Sequence, residues 1–106
     1  MKRATLIIIH PNGRREVSNY PPSERPPYEV LREAVGGLIQ PCGQFMKGNS
    51  EAYCNEEFLL FGMAPNLEGS KAVSWPVGEM DTLRGERIPP LHGPIVILEG
   101  FDEEED

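Results

Sequence analysis

An α+β domain, a mostly antiparallel sheet of about five strands covered by one main helix, follows from three features of the chain. Two unbroken apolar runs, "ATLIII" from Ala4 and "PIVILEG" from Pro94, stand at opposite ends of the sequence. An Asn12-Gly13 corner follows the first run, and a segment with helical spacing lies between the two. Apolar runs without alternation suit strands covered on both faces, so both are expected in the middle of the sheet, side by side. The expected order is strand, strand, helix, strand, strand, short helix, strand.

The first hairpin is the clearest element. Asn-Gly tolerates positive φ at both positions and is the strongest short hairpin signal. "RREVSNY" then reads as the returning strand, polar and therefore nearer an edge. "PPSERPP", Pro21 to Pro27, lacks a backbone donor at four of its seven positions. It reads as a stiff extended connector into a helix, with a proline-rich docking segment as the alternative. Pro27 suits a helix first turn. Tyr28, Leu31, Val35 and Leu38 share one helical face, while Glu29, Arg32 and Glu33 fill the other. Gly36-Gly37 supplies a left-handed stop.

"LIQPCGQFM", the turn "KGNS" and "EAYCNEE" form a second hairpin whose first strand is weakened by Pro41 and Gly43. Alternation places Ala52, Cys54 and Glu56 on one face of its second strand and Tyr53, Asn55 and Glu57 on the other. "FLLFGM" either continues that strand or forms the turn that enters the core. Asn66 has the chemistry of an N-cap for a short helix over Leu67 to Ser74, which Gly69 weakens. Seven Pro and Gly residues punctuate Trp75 to Pro94, so a long loop is expected there, with one turn of helix near Glu79 to Leu83.

Size and charge narrow the function. A chain of 106 residues makes one modest core, here residues 1–101, ahead of a solvated acidic end at 102–106. No apolar run approaches the ~18 residues of a membrane span, and the apolar patch within "MKRATLIIIHP" is too short for a secretory signal. A cytoplasmic address follows. Net charge is −7, but "DEEED" holds five of the 17 acids, leaving 10 basic against 12 acidic groups in the body. Such a body is not expected to bind nucleic acid phosphates.

Two cysteines, Cys42 and Cys54, cannot make a four-ligand zinc site, and His10 and His92 show no ligand spacing, so no metal or cofactor is expected. The thiols read as buried and idle. A redox-dependent disulfide is the alternative if they face each other across the hairpin.

The candidate site is "YCNEEFLLFGMAPN", residues 53–66. Asn55, Glu56, Glu57 and Asn66 read structurally as a strand end, with both asparagines bonding backbone groups and the glutamates solvated. Functionally they read as a pocket mouth over a floor of Phe58, Leu59, Leu60 and Phe61. Tyr53 and Trp75 would add stacking, although Trp75 also suits a core anchor. Glu56 and Glu57 point apart on a strand, so they fail as a catalytic pair. Gly36-Gly37 follow their helix, whereas phosphate loops precede one. His10 is a turn residue, and His92 is an accessible loop residue without a neighbouring carboxylate or cysteine.

Four segments occur in a telling order: "LIIIHPNG", "VGGLIQP", "NEE" with "APN", and "GPIVILEG". Together the set resembles the small phage and bacterial family catalogued as domain of unknown function 3846. Members commonly read V-G-G-Y-I-E-P, then N-E-E-G, then L-P-x-N and a G-x-x-V-I-x-G strand. This chain departs from that pattern at Phe58, where a glycine is expected, and at Met63-Ala64 in place of the leucine. The resemblance implies a phage, prophage or plasmid context and an α+β domain, without a mechanism. The expected function is therefore a non-catalytic accessory protein that binds a host protein through the long loop and the acidic end. The alternative is a small-molecule binder for a nucleotide signal, with a homodimer as one way to build its pocket. An enzyme using Glu56 or Glu57 is the minor alternative.

Overall fold

The two apolar runs lie side by side at the centre of one sheet in the computed structural model, which describes residues 3–48 and 50–102. The strands are β1 (Ala4–Ile9), β2 (Arg15–Tyr20), β3 (Ile39–Pro41), β4 (Ser50–Asn55), β5 (Met80–Asp81), β6 (Glu86–Arg87) and β7 (Ile95–Glu99). The helices are α1 (Tyr28–Val35) and α2 (Leu67–Ala72). The main sheet runs β2-β1-β7-β4-β3, antiparallel throughout. The fold is thus α+β with the expected element order, to which β5 and β6 add a small separate hairpin. The acidic end expected at 102–106 lies, beyond Asp102, outside the described residues.

Burial follows from the two-residue period of a strand. Ile95, Val96, Ile97 and Leu98 of β7 are all buried, because both sheet faces are covered. Val96 and Leu98 join Ala4, Leu6, Leu31 and Val35 under α1. Ile95 and Ile97 join Ile9, Ala52, Cys54 and Val73 on the α2 face. Strand β2 is the exposed edge expected of its polar sequence.

Helix α1 starts after Pro27 and stops at Gly36, whose φ of 80° is left-handed. The N–H groups of Gly36 and Gly37 both reach the Arg32 carbonyl, at 3.0 and 3.1 Å, so a tight Schellman-type turn ends the helix. That early stop trims the expected apolar face. Leu31 and Val35 are buried, but Tyr28 is half exposed, and Leu38 falls beyond the helix and is also exposed. Strand β3 is likewise reduced to three residues by Pro41 and Gly43.

Two expectations are corrected. "FLLFGM" neither extends β4 nor enters the core as a whole: it is a run of turns that carries Leu59, Leu60 and Phe61 outward. Local bonds replace the ladder there, with Phe61 N–H to the Glu57 carbonyl (3.1 Å) and Met63 N–H to that of Phe58 (3.1 Å). The helical turn expected near Glu79 to Leu83 is instead the β5–β6 hairpin. Asp81 decides it, its Oδ1 accepting the N–H groups of Leu83 (3.0 Å) and Arg84 (3.3 Å). This side-chain-to-backbone pattern favours a turn over a helix interior.

Among the described residues, no helix is long and apolar enough to cross a membrane.

Candidate functional site

Asn55 and Asn66, two of the expected ligand residues, are fully buried and occupied by the backbone. Asn55 Nδ2 donates to the Val35 carbonyl at the end of α1 (3.1 Å), and its Oδ1 accepts the Glu57 N–H (2.7 Å). Asn66 Nδ2 donates to the carbonyls of Ile9 and Gly93, both at 2.8 Å, while its Oδ1 caps α2 by accepting the Gly69 N–H at 2.8 Å. Ser70 completes the arrangement, donating to the Asn66 carbonyl (2.7 Å) and accepting the Leu91 N–H (2.9 Å). Both asparagines therefore act as clasps between chain segments. Both are fully buried, so neither side chain reaches the surface.

The other members of the constellation are dispersed. Tyr53 packs on the α1 face and donates to Glu51 (2.8 Å), which also receives both terminal nitrogens of Arg25. The Arg25 guanidinium holds the Glu51 carboxyl below its ordinary range, and burial, then the bond to Glu51, raises the Tyr53 phenol. This cluster ties the proline-rich connector to β4. Glu56 is exposed and Glu57 half-buried, and neither lines the cleft described next.

Trp75 and the expected floor residues Phe58 and Leu59 do meet, at a different place. They line a cleft of about 370 Å³ on the α2 side, with Phe45, His92 and the Pro89-Pro90 corner. Phe58 and His92 stack with ring centres 5.3 Å apart and 10° between planes. Phe45 meets Trp75 edge-on at 5.5 Å and 80°. Trp75 Nε1 donates to the Pro89 carbonyl at 3.2 Å, which fixes the indole while leaving it on the wall. His92 Nδ1 lies 2.8 Å from the Met63 carbonyl, which can only accept, so Nδ1 is the donor of this bond.

The rim carries both signs of charge. Asp81, Arg84, Glu86 and Arg87 come from the β5–β6 hairpin. Arg87 donates to the Gly78 carbonyl at 2.8 Å, and Arg84 stands 4.0 Å from Asp81. Chemically, the cleft offers aromatic faces, the His92 imidazole and a mixed polar border. Phe45, His92 and the rim were not among the residues the sequence reading assembled. The available signal was the aromatic and histidine content of proline-punctuated segments.

A five-stranded antiparallel sheet, a helix on each face and an aromatic cleft bordered by the β5–β6 hairpin define a small α+β domain. The chain belongs to the family described as Domain of unknown function (DUF3846), whose model matches residues 1–106. None of the curated proteins and none of the solved structures matches it.

Proposed function

We propose that the protein is a non-catalytic accessory protein of a phage or mobile element that binds a host protein in the cytoplasm, using the cleft and the turn beside it. The observation that carries the binding reading is the outward display of large apolar side chains there. Leu59 is 71 % exposed, Leu60 79 %, and Leu83, next to the rim residue Arg84, 97 %. Apolar groups gathered beside an aromatic cleft mark interaction surfaces. Tryptophan and arginine, both at this cleft, are the residue types that most often dominate protein–protein binding energy. A rim of both signs suits a protein surface better than a run of phosphates. Asp102, the last described residue, lies on the other side, its N–H bonding the Pro22 carbonyl (2.9 Å) and its neighbour Phe101 packing in the α1-face core. The reading therefore rests on the loop. The mobile-element context rests on the family resemblance alone.

The test is a capture from lysate of the cell that carries the gene, at near-physiological salt, with the native chain and Leu59→Asp/Leu60→Asp in parallel. A protein retained by the native chain and lost by the variant supports the reading. Identical recoveries, or no specific recovery, contradict it.

A second reading is favoured by the volume of the cleft, which falls in the range of small-molecule sites. A planar ligand, for instance a nucleotide signal, would lie against Trp75 and the Phe58–His92 stack. At a hundredfold excess over its Kd it would stabilise the fold by about 2.7 kcal/mol. No thermal shift across a broad nucleotide panel would remove that reading.

A further inference from the structure

Cys42 and Cys54 are reduced and buried, 1 % and 0 % exposed, in the core cluster on the cleft side of the sheet. Gln40 pairs with Cys54, and the Cys42 N–H bonds the Ala52 carbonyl at 2.8 Å. The two cysteines are therefore diagonal neighbours on one face of the β3–β4 ladder. The Cys54 sulfur accepts from Gln40 Nε2 at 3.4 Å. The neighbouring Cys42 thiol first, and the bond from Gln40, draw the Cys54 thiol below its ordinary pKa against the opposing effect of burial. Cys42, the partner that keeps its proton, is pushed up. One sulfur with thiolate character beside a second that can resolve it is the pattern of a reactive dithiol.

The surroundings supply access and a consequence. Strand β3 is a three-residue edge strand that ends in Pro41, so its pairing is the least secured of the sheet. Local opening of such an edge exposes both thiols. Immediately after Cys42 the chain is pressed onto β4: a Cβ on Gly43 would stand 2.9 Å from the Ala52 nitrogen. Gln44 and Phe45, the next two residues, line the cleft, and Phe45 meets Trp75 edge-on. Diagonal partners in a regular ladder stand roughly 7–8 Å apart. A relaxed disulfide spans about 4.4–6.8 Å between Cα atoms. Closing the bond must draw Cys42 inward, and the short link to Phe45 carries that shift to the cleft wall.

We propose that Cys42 and Cys54 are a redox-reactive pair, oxidised by a hydroperoxide to a reversible disulfide that moves Phe45 against Trp75. The Cys54 thiolate attacks one peroxide oxygen, the O–O bond breaks, and the other oxygen leaves as water after taking a proton. The Cys42 sulfur then attacks the resulting sulfenic acid, forming the S–S bond as the S–O bond breaks. The second water carries off the Cys42 proton. Two thiols and one hydrogen peroxide thus give one disulfide and two waters, and a dithiol reductant reverses the change. This inference does not rest on the cleft having a partner.

The experiment treats the folded full chain with hydrogen peroxide, maps the thiols by mass spectrometry, and follows the emission of Trp75, the only tryptophan. The expected result is loss of two hydrogen atoms, one peptide linking Cys42 to Cys54, and an emission change that dithiothreitol reverses. Cys42→Ser should stop at a trappable sulfenic acid on Cys54 and leave the emission unchanged. The native chain tests the linkage without any variant. Thiols that persist, or link only in denaturant, would overturn the proposal. So would an emission that is indifferent to the disulfide, or that changes equally in Cys42→Ser.

Discussion

Replacing Asn66 with alanine removes three buried hydrogen bonds at once: those to the carbonyls of Ile9 and Gly93, and the one from the Gly69 N–H. The side chain joins the end of β1, the approach to β7 and the first turn of α2, and it has no contact with solvent. Each buried polar group left without a partner costs about 1–3 kcal/mol. Some relaxation toward the low end gives an expected loss of about 3–5 kcal/mol. A domain of this size has a total stability of about 5–15 kcal/mol, so Asn66→Ala sits close to unfolding. Urea denaturation followed by Trp75 emission is the assay. With m of about 1–3 kcal/mol per M, the midpoint should fall by more than about 1 M.

Asn66→Asp sharpens the test, because an introduced carboxylate would face two carbonyls that can only accept. Its folded-state pKa must lie above the unfolded value of about 3.9. The sign follows: the variant loses stability as pH rises above that value and recovers it as the carboxyl protonates in acid. A loss below about 1 kcal/mol for Asn66→Ala, or a pH-independent penalty for Asn66→Asp, would refute the clasp.

Three further outcomes follow from the same structure. Asn55→Ala should cost about 1–3 kcal/mol by urea denaturation, since it orphans the buried Val35 carbonyl while the Glu57 N–H lies nearer solvent. Glu51→Gln should cost only about 0.5–1 kcal/mol at neutral pH, because the Glu51 side chain is 43 % exposed and solvent screens the ion pair with Arg25. The Glu51 carboxyl is held low in the fold, so its contribution is complete above the unfolded value of about 4.3 and lost as pH falls through the folded one. Urea midpoints between neutral and acid pH should therefore fall less steeply in the variant. Ser74, left-handed at φ 59° after α2, should gain about 0.5–1 kcal/mol on replacement by glycine, read as a higher thermal midpoint.

The parts of the fold that local chemistry decides were legible in the chain. The apolar runs announce β1 and β7, Asn12-Gly13 turns the first hairpin, Gly36 ends α1, and Asn66 caps α2 through a bond only three residues long. The sequence could not tell what else Asn66 does, because its other partners lie 57 and 27 residues away. A polar residue at a strand or helix end looks the same whether it serves a ligand or an orphaned carbonyl. That is why the chain leaves both readings open for Asn55 and Asn66, and the structure shows both bonded to the backbone.

The cleft was hidden for a related reason. Phe45, Phe58, Trp75 and His92 come from four separate loops, and only tertiary packing brings them together. Apolar content misled at Leu59 to Phe61 because hydrophobicity signals burial somewhere, in the core or against a partner. There the turn bonds decided in favour of the surface.

The most direct measurement is amide hydrogen exchange on the complex with the captured host protein, compared with the free chain. Slowed exchange is expected over residues 58–61 and 75–92, with β2 unchanged. Protection along the β2 edge or the α1 face, with the cleft segments exchanging as in the free chain, would contradict it.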